Sequence, residues 1–148
     1  MHIRRARRED VETIVGLLAD DVLGRTREAA GSDMGRYYAA FDAMAEDDNN
    51  YILVAEYEDE VVGCLQLTLI AGLSLSATKR AQIEGVRVAS AWRSRQIGER
   101  LIAYACDEAR EAGCALMQLT SNATRKDALR FYERLGFEPS HVGFKMKL

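Results

Sequence analysis

Apolar residues recur along this chain with two periods, and each switch between them marks an element. Residues 2–6 read as a short strand. Val11, Ile14, Val15 and Leu18 then fall at helical spacing, with Asp10 close to the helix start. Residues 24–33 are polar and glycine-containing, which predicts a loop. Tyr37 or Tyr38, Phe41, Met44 and Ala45 fall on one face of a second helix, ended by Glu46, Asp47 and Asp48. Residues 51–57 and 61–70 are rich in strand formers and are separated by Glu58-Asp59-Glu60, the pattern of an antiparallel hairpin. A further strand is predicted over 81–88. Ile97, Leu101, Ile102, Ala105 and Ala109 then form the inward face of a helix, with Gly113 suited to the position just past its end. Residues 115–119 read as a short buried strand and 128–135 as a helix closed by Gly136. The tail alternates Val142, Phe144, Met146 and Leu148 against Gly143, Lys145 and Lys147, predicting a final half-buried strand.

The order is strand, two helices, three strands, helix, strand, helix, strand, which predicts a mixed α/β sheet covered by helices. The 148 residues are enough for one domain with its own core. One proline, Pro139, and no linker or repeat give no sign of a boundary, so residues 1–148 are expected to form a single domain. Apolar content of 48% and charged content of 29% are those of a soluble globular protein. No apolar run approaches membrane-spanning length, and Met1-His2-Ile3-Arg4-Arg5 is not followed by the apolar segment of a signal peptide, so no membrane partner and a cytoplasmic location are expected. The net charge of −3 argues against general nucleic-acid binding, and Arg4, Arg5, Arg7 and Arg8 read as a solvated face around the first strand. Cys64, Cys106 and Cys114 are odd in number and lack C-x-x-C spacing, so buried small hydrophobes are expected, with neither a disulfide framework nor a metal site.

The segment carrying candidate chemistry is Val86-Arg87-Val88-Ala89-Ser90-Ala91-Trp92-Arg93-Ser94-Arg95-Gln96-Ile97-Gly98-Glu99-Arg100-Leu101. It reads as a strand, a basic loop and the first turn of an amphipathic helix. A helix start offers unpaired N–H groups and the positive end of the macrodipole, so this is a candidate phosphate or pyrophosphate cradle. Neither G-x-G-x-x-G nor G-K-[ST] is present, which argues against dinucleotide binding or nucleotide hydrolysis.

The order of elements and two local motifs resemble the GNAT superfamily of acyl-CoA-dependent N-acetyltransferases over essentially the whole chain. Arg93-Ser94-Arg95-Gln96-Ile97-Gly98 matches the first and last positions of the family's [Q/R]-x-x-G-x-[G/A] signature. Downstream, Asn122 precedes Ala128-Leu129-Arg130-Phe131-Tyr132-Glu133-Arg134-Leu135-Gly136-Phe137, which is similar to the family's A-x-x-x-Y-x-x-x-G-F helix. Gln96 stands at the signature's middle glycine. A left-handed residue there would cost roughly 1–2 kcal/mol; with ordinary angles its amide could instead help bind an oxygen.

The resemblance implies a mostly antiparallel central sheet with a splayed parallel strand pair and about four flanking helices. It implies acetyl-CoA as cosubstrate, with its pyrophosphate on the N–H groups of Arg95 through Glu99, including Gln96, Ile97 and Gly98. Arg93 and Arg95 would add charged contacts, with Ser94 between them. The pantetheine arm would lie along Val86, Arg87 and Val88, and the Val88 N–H would polarise the thioester carbonyl. Asn122 and Tyr132 would contact the arm and the sulfur, with Tyr132 as general acid toward the leaving thiolate. Helix periodicity alone would put Tyr132 in the core beside Ala128, Leu129 and Leu135. Glu84, before Gly85 on the central strand, is the candidate base; it is expected to be buried and to share a face with Val86 and Val88, with pairing to Arg87 the alternative. The implied activity is direct acetyl transfer to a primary amine of a small molecule or a peptide, and a non-catalytic CoA-binding sensor or accessory module is the alternative. The acceptor pocket is expected near residues 23–38 and 69–78, with Asp20, Asp21 and Glu46 to Asp48 as acidic groups that could attract an amine. His141 and Ser121 are weaker candidates, and a homodimer through edge strands or the C-terminal strand is compatible with the resemblance.

Overall fold

A computed structural model describes residues 1–20 and 33–148. Its five strands form one sheet in the order β1-β2-β3-β4-β5: β1 His2–Arg5, β2 Asn50–Tyr57, β3 Glu60–Ile70, β4 Arg80–Val88 and β5 Leu116–Leu119. Neighbours are antiparallel except β4 and β5, which run parallel. Among the described residues, four helices of nine residues or more accompany the sheet: α1 Val11–Ala19, α2 Met34–Ala45, α3 Ile97–Glu111 and α4 Lys126–Arg134. The expected mixed α/β architecture is therefore present. The loop expected over 24–33 falls almost wholly outside the described residues. None of the helices described is long and apolar enough to cross a membrane.

Strands β2 and β3 read as nearly continuous apolar runs because helices cover both of their faces. On one face Leu53, Leu65, Leu67 and Ile83 pack against Leu101, Ile102, Ala105 and Ala109 of α3. On the other, Val54 and Cys64 pack against Ile14 and Leu17 of α1. Burying a leucine such as Leu101 fully stabilises the fold by about 2–3 kcal/mol. Helix α3 lies so close to the sheet that a Cβ on Gly63 would sit 3.0 Å from the Arg87 carbonyl oxygen and 3.1 Å from Leu101 Cδ1. Glycine at that position lets the start of α3 press against the end of β4.

Two sequence expectations are corrected here. Residues 137–148 carry no strand, and Val142, Phe144, Met146 and Leu148 are exposed instead of half-buried. Their alternation describes a face that a strand would bury, but no edge of this sheet pairs with it. Arg4 is the second correction. It does not belong to a solvated basic face: its guanidinium lies between Asp10 (Nη1–Oδ2 2.7 Å, Nη2–Oδ1 3.1 Å) and Glu56 (Nε–Oε2 2.8 Å). The expected burial of the cysteines is met in full by Cys64, whereas Cys106 and Cys114 are half-buried.

Asp10 is the buried acid of this cluster and also accepts the Arg7 N–H at 2.6 Å, so one carboxylate fixes the turn between β1 and α1. Burial raises the Asp10 carboxyl, but the Arg4 guanidinium and the Arg7 N–H more than offset it, and the group titrates below the usual aspartate range. A depressed folded-state value means that the stabilisation is full above the ordinary aspartate pKa and is lost as pH falls through the folded one. Asp10→Ala leaves Arg4 with one carboxylate partner, Glu56, and is expected to cost about 3 kcal/mol at neutral pH. Urea melts from pH 7 down to pH 3 should show the gap between wild type and variant closing below about pH 4.

Candidate functional site

Past Val88 the chain makes a short 3-10 turn, Ser90–Trp92, and enters α3 at Ile97. Gln96 has φ 60 and ψ 14, so the residue at the signature's middle-glycine position takes the left-handed conformation. Ser94 does the same at φ 63, a feature the sequence reading missed. Such turns on either side of Arg95 gather successive N–H groups into a backbone concavity. The first helical hydrogen bond is Arg100 N–H to the Gln96 carbonyl at 3.0 Å, and no side chain caps the start. The N–H groups of Ile97, Gly98 and Glu99 are thereby left without helical partners at the positive end of a 15-residue helix. Ile97 puts its side chain in the core, leaving its main chain to serve the cradle.

The loop's two arginines are engaged elsewhere. Arg93 donates from Nε to the Val88 carbonyl at 3.2 Å and from Nη2 to the Asp20 carbonyl at 2.9 Å, while Asp20 Oδ2 accepts the Ser90 N–H at 3.2 Å. Asp20 is therefore a tie between the end of α1 and the cradle loop, a role no sequence signal indicated. Arg95 stacks over Trp92 at 4.7 Å, and Trp92 packs against Tyr57 with ring centroids 4.7 Å apart.

Strand β4 carries the second half of the site. Its ladder to β5 runs from Arg80↔Leu116 to Ile83↔Leu119 and stops there, while β4 continues to Val88. On the β3 side Val88 stands opposite Gly63, and the Ala89 N–H bonds the Val62 carbonyl at 2.9 Å. That bond makes Val88↔Gly63 a non-hydrogen-bonded pair, so the Val88 N–H turns away from β3 toward the side β5 has left. The open edge is thus a short template for an extended ligand.

Glu84 is where the local alternation breaks. Cys64 pairs with Arg87 and Gln66 with Glu84, so Leu65 alone stands opposite Gly85 and Val86. This is a β-bulge, and Gly85 at φ 61 supplies the left-handed residue it needs. Val86 and Val88 pack into the core under α3, whereas Glu84 shares the opposite face with Gln66. Glu84 is also exposed rather than buried. Both expectations, the shared face and the burial, are corrected. On its face Gln66 donates to Asn50 Oδ1 at 2.8 Å and Gln118 donates to Gln82 at 2.8 Å, so Glu84 ends a row of amides. Arg87 Nη1 donates to the Val86 carbonyl at 2.8 Å.

Tyr132 lies on α4, half-buried against the core beneath α3. Its ring makes edge contacts with Phe131 at 5.2 Å and Phe137 at 5.9 Å. Burial pushes its phenol above the ordinary tyrosine value, and the charges of Arg125 and Arg87 pull against that rise. A Cβ on Gly98 would lie 3.3 Å from Phe131 Cζ and 3.7 Å from Val88 Cγ2, so the helix start, the strand end and α4 meet at one place. Asn122 instead spends its carbonyl oxygen on Thr124, bonding the N–H at 2.9 Å and the hydroxyl at 2.7 Å in the turn before α4. His141 pairs with its neighbour Ser140 at 2.7 Å. Of the residues expected to line an acceptor pocket, Asp21 and 23–32 lie outside the described residues. Phe131 is the neighbour of Tyr132 and Gly98 that no motif singled out.

The left-handed angle at 96 yields a stability test. Gly is released from the Cβ clash that Ala suffers at such a position, so Gln96→Gly should be about 1 kcal/mol more stable than Gln96→Ala in chemical melts.

Comparison with known proteins bears on the family and the fold. Residues 17–137 match the family model of the Acetyltransferase (GNAT) family. Aminoalkylphosphonate N-acetyltransferase of Salmonella typhimurium is 32% identical over 146 residues, spanning 99% of this chain and 90% of that protein. The crystal structure of a transcriptional regulator from Bacillus halodurans is 47% identical, with a TM-score of 0.96 over 99% of both chains. Glucosamine-6-phosphate N-acetyltransferase from Arabidopsis thaliana shares the fold at a TM-score of 0.80 and 20% identity, over 99% of this chain and 97% of that one. Matched by the family model over residues 17–137 and 32% identical to an N-acetyltransferase along nearly its whole length, this protein is a member of the GNAT acetyltransferase family.

Proposed function

We propose that this chain moves the acetyl group of acetyl-CoA to a primary amine by direct attack, both substrates being bound together. The observation that carries the reading is the convergence at Gly98, where the uncapped start of α3, the end of β4 and the Tyr132 helix touch. The pyrophosphate is held by the N–H groups of Gln96 through Glu99, offset against the helix dipole. The pantetheine arm adds as a strand to Val86, Arg87 and Val88, and the Val88 N–H donates to the thioester oxygen as negative charge builds on it.

Glu84 takes the ammonium proton of the acceptor. Because it is exposed, and on the sheet face opposite Val86 and Val88, it acts through water at the polar end of its amide row. The amine nitrogen then attacks the carbonyl carbon, the tetrahedral intermediate collapses with cleavage of the C–S bond, the Tyr132 hydroxyl protonates the departing thiolate, and the proton that the nitrogen sheds on becoming an amide passes through water to restore the phenol. The raised phenol stays protonated at neutral pH, as a proton donor must. Among acceptors, the name of the Salmonella typhimurium relative puts small aminoalkylphosphonates first. A second reading, a CoA-binding module without turnover, is favoured by the Bacillus halodurans relative described as a transcriptional regulator.

The test is release of free thiol from acetyl-CoA across a panel of small amines, aminoalkylphosphonates and lysine peptides. Amine-dependent release is expected, and binding without release on any amine would favour the second reading. Tyr132→Phe should keep acetyl-CoA affinity and lower turnover at least tenfold; near-normal turnover removes the phenol from the proton step. Glu84→Gln should lower turnover and change the pH–rate profile relative to wild type, and an unchanged profile would take the base role from Glu84.

A further inference from the structure

Helix α4 presents more than Tyr132. Asp127, Arg130, Phe131 and Arg134 fall at i, i+3, i+4 and i+7, one stripe along nine residues of helix. Two contacts fix where this stripe lies. Phe131 Cζ is the side-chain atom closest to where a Cβ on Gly98 would be, at 3.3 Å, and Arg134 Nη2 is 3.5 Å from Glu99 Oε1. Gly98 and Glu99 are first-turn residues of α3 whose N–H groups form the anion cradle. Whatever occupies the cradle therefore has Phe131 and Arg134 as its neighbours on the α4 side.

We propose that Arg130, Phe131 and Arg134 recognise the 3′-phosphoadenosine end of CoA, making α4 the element that distinguishes CoA from its 3′-dephospho form. The inference rests on the reading that CoA is the ligand of the cradle. Beyond the pyrophosphate the cofactor carries a ribose with a 3′-phosphate dianion and a flat base, which call for guanidinium groups and for a ring to stack on. The stripe supplies both. Arg134 sits over the half-buried Phe131 ring at 5.8 Å, forming a flat surface with a charged rim, and Arg130 lies one turn away on the same face.

Neither arginine is committed. Arg130 pairs with Asp127, whose side chain is 96% exposed, and Arg134 with Glu99 at the long distance of 3.5 Å. Exposed pairs of this kind contribute little to stability, so exchanging a carboxylate for a phosphate dianion costs little. The loop arginines are less available. Arg93 is held by Asp20 and the Val88 carbonyl, and Arg95 is stacked on Trp92.

Calorimetric titration with CoA and with dephospho-CoA tests this, using wild type, Arg130→Gln/Arg134→Gln and, as a comparison, Arg95→Gln. Wild type should bind CoA at least 30-fold more tightly than dephospho-CoA. The double variant should reduce that ratio to threefold or less, chiefly by weakening CoA, while Arg95→Gln keeps it; thermal melts check that the exposed substitutions leave the fold intact. A wild type without preference, a double variant that keeps its preference, or one that loses both ligands equally would overturn the proposal while leaving CoA binding in place. Binding of neither nucleotide by wild type would overturn both this inference and the acetyl-CoA reading beneath it.

Discussion

Strand β4 keeps its ladder to β3 as far as Val88, whereas among the described residues its pairing with β5 ends at Ile83↔Leu119. An unpaired edge inside a fold leaves main-chain donors and acceptors that must be satisfied by something. Much of the candidate site is arranged around that gap. Gly63 lets α3 settle against the end of β4, which brings the free N–H groups of Ile97 and Gly98 next to Val88. The tie from Asp20 to Ser90 and Arg93 then fixes the loop that joins strand to helix. Helix α4 closes the far side with Phe131 and Tyr132. On the proposed reading, an extended ligand with an anionic end, such as a CoA thioester, would satisfy the strand edge and the helix dipole together.

The left-handed backbone at Gln96 shows what this arrangement costs. A glutamine at φ 60 stores strain that a glycine would not, of the order of 1–2 kcal/mol. The strain is borne by a rigid helix start on one side and by the anchored Arg93 on the other. Fixing the donors before the ligand arrives lowers the ordering cost of binding. On the proposed reading, the same preorganisation would aim the Val88 N–H at the negative charge that develops in acetyl transfer.

Much of this was legible in the sequence. The apolar periods located all five strands of the sheet and the four longer helices, because most of those elements bury one face against the core. The strand–loop–helix junction of the candidate cradle was visible as a basic loop running into an amphipathic helix, and the helix that carries Tyr132 through its place in a recognised motif. Glu84 was misread because alternation was carried through Gly85, and one bulge there moves Val86 and Val88 to the other face. The tail was misread for a different reason: Val142, Phe144, Met146 and Leu148 have a strand's pattern, but pattern alone supplies no partner edge. Arg4, Asp10 and Glu56 come from three separate elements, and no local spacing announces an ion cluster of that kind. The roles of Asp20 and Phe131 are likewise tertiary, set by how α1 and α4 dock.

The central claim is that acetyl-CoA occupies the open edge of β4 and the start of α3 at once. Amide NMR of the protein titrated with acetyl-CoA tests it most directly. The account predicts large shifts confined to the N–H groups of Val86, Val88, Ile97, Gly98 and Glu99, with the Ala89 N–H, already bonded to Val62, moving little. Shifts centred elsewhere, or shifts at α3 with Val86 and Val88 untouched, would contradict it.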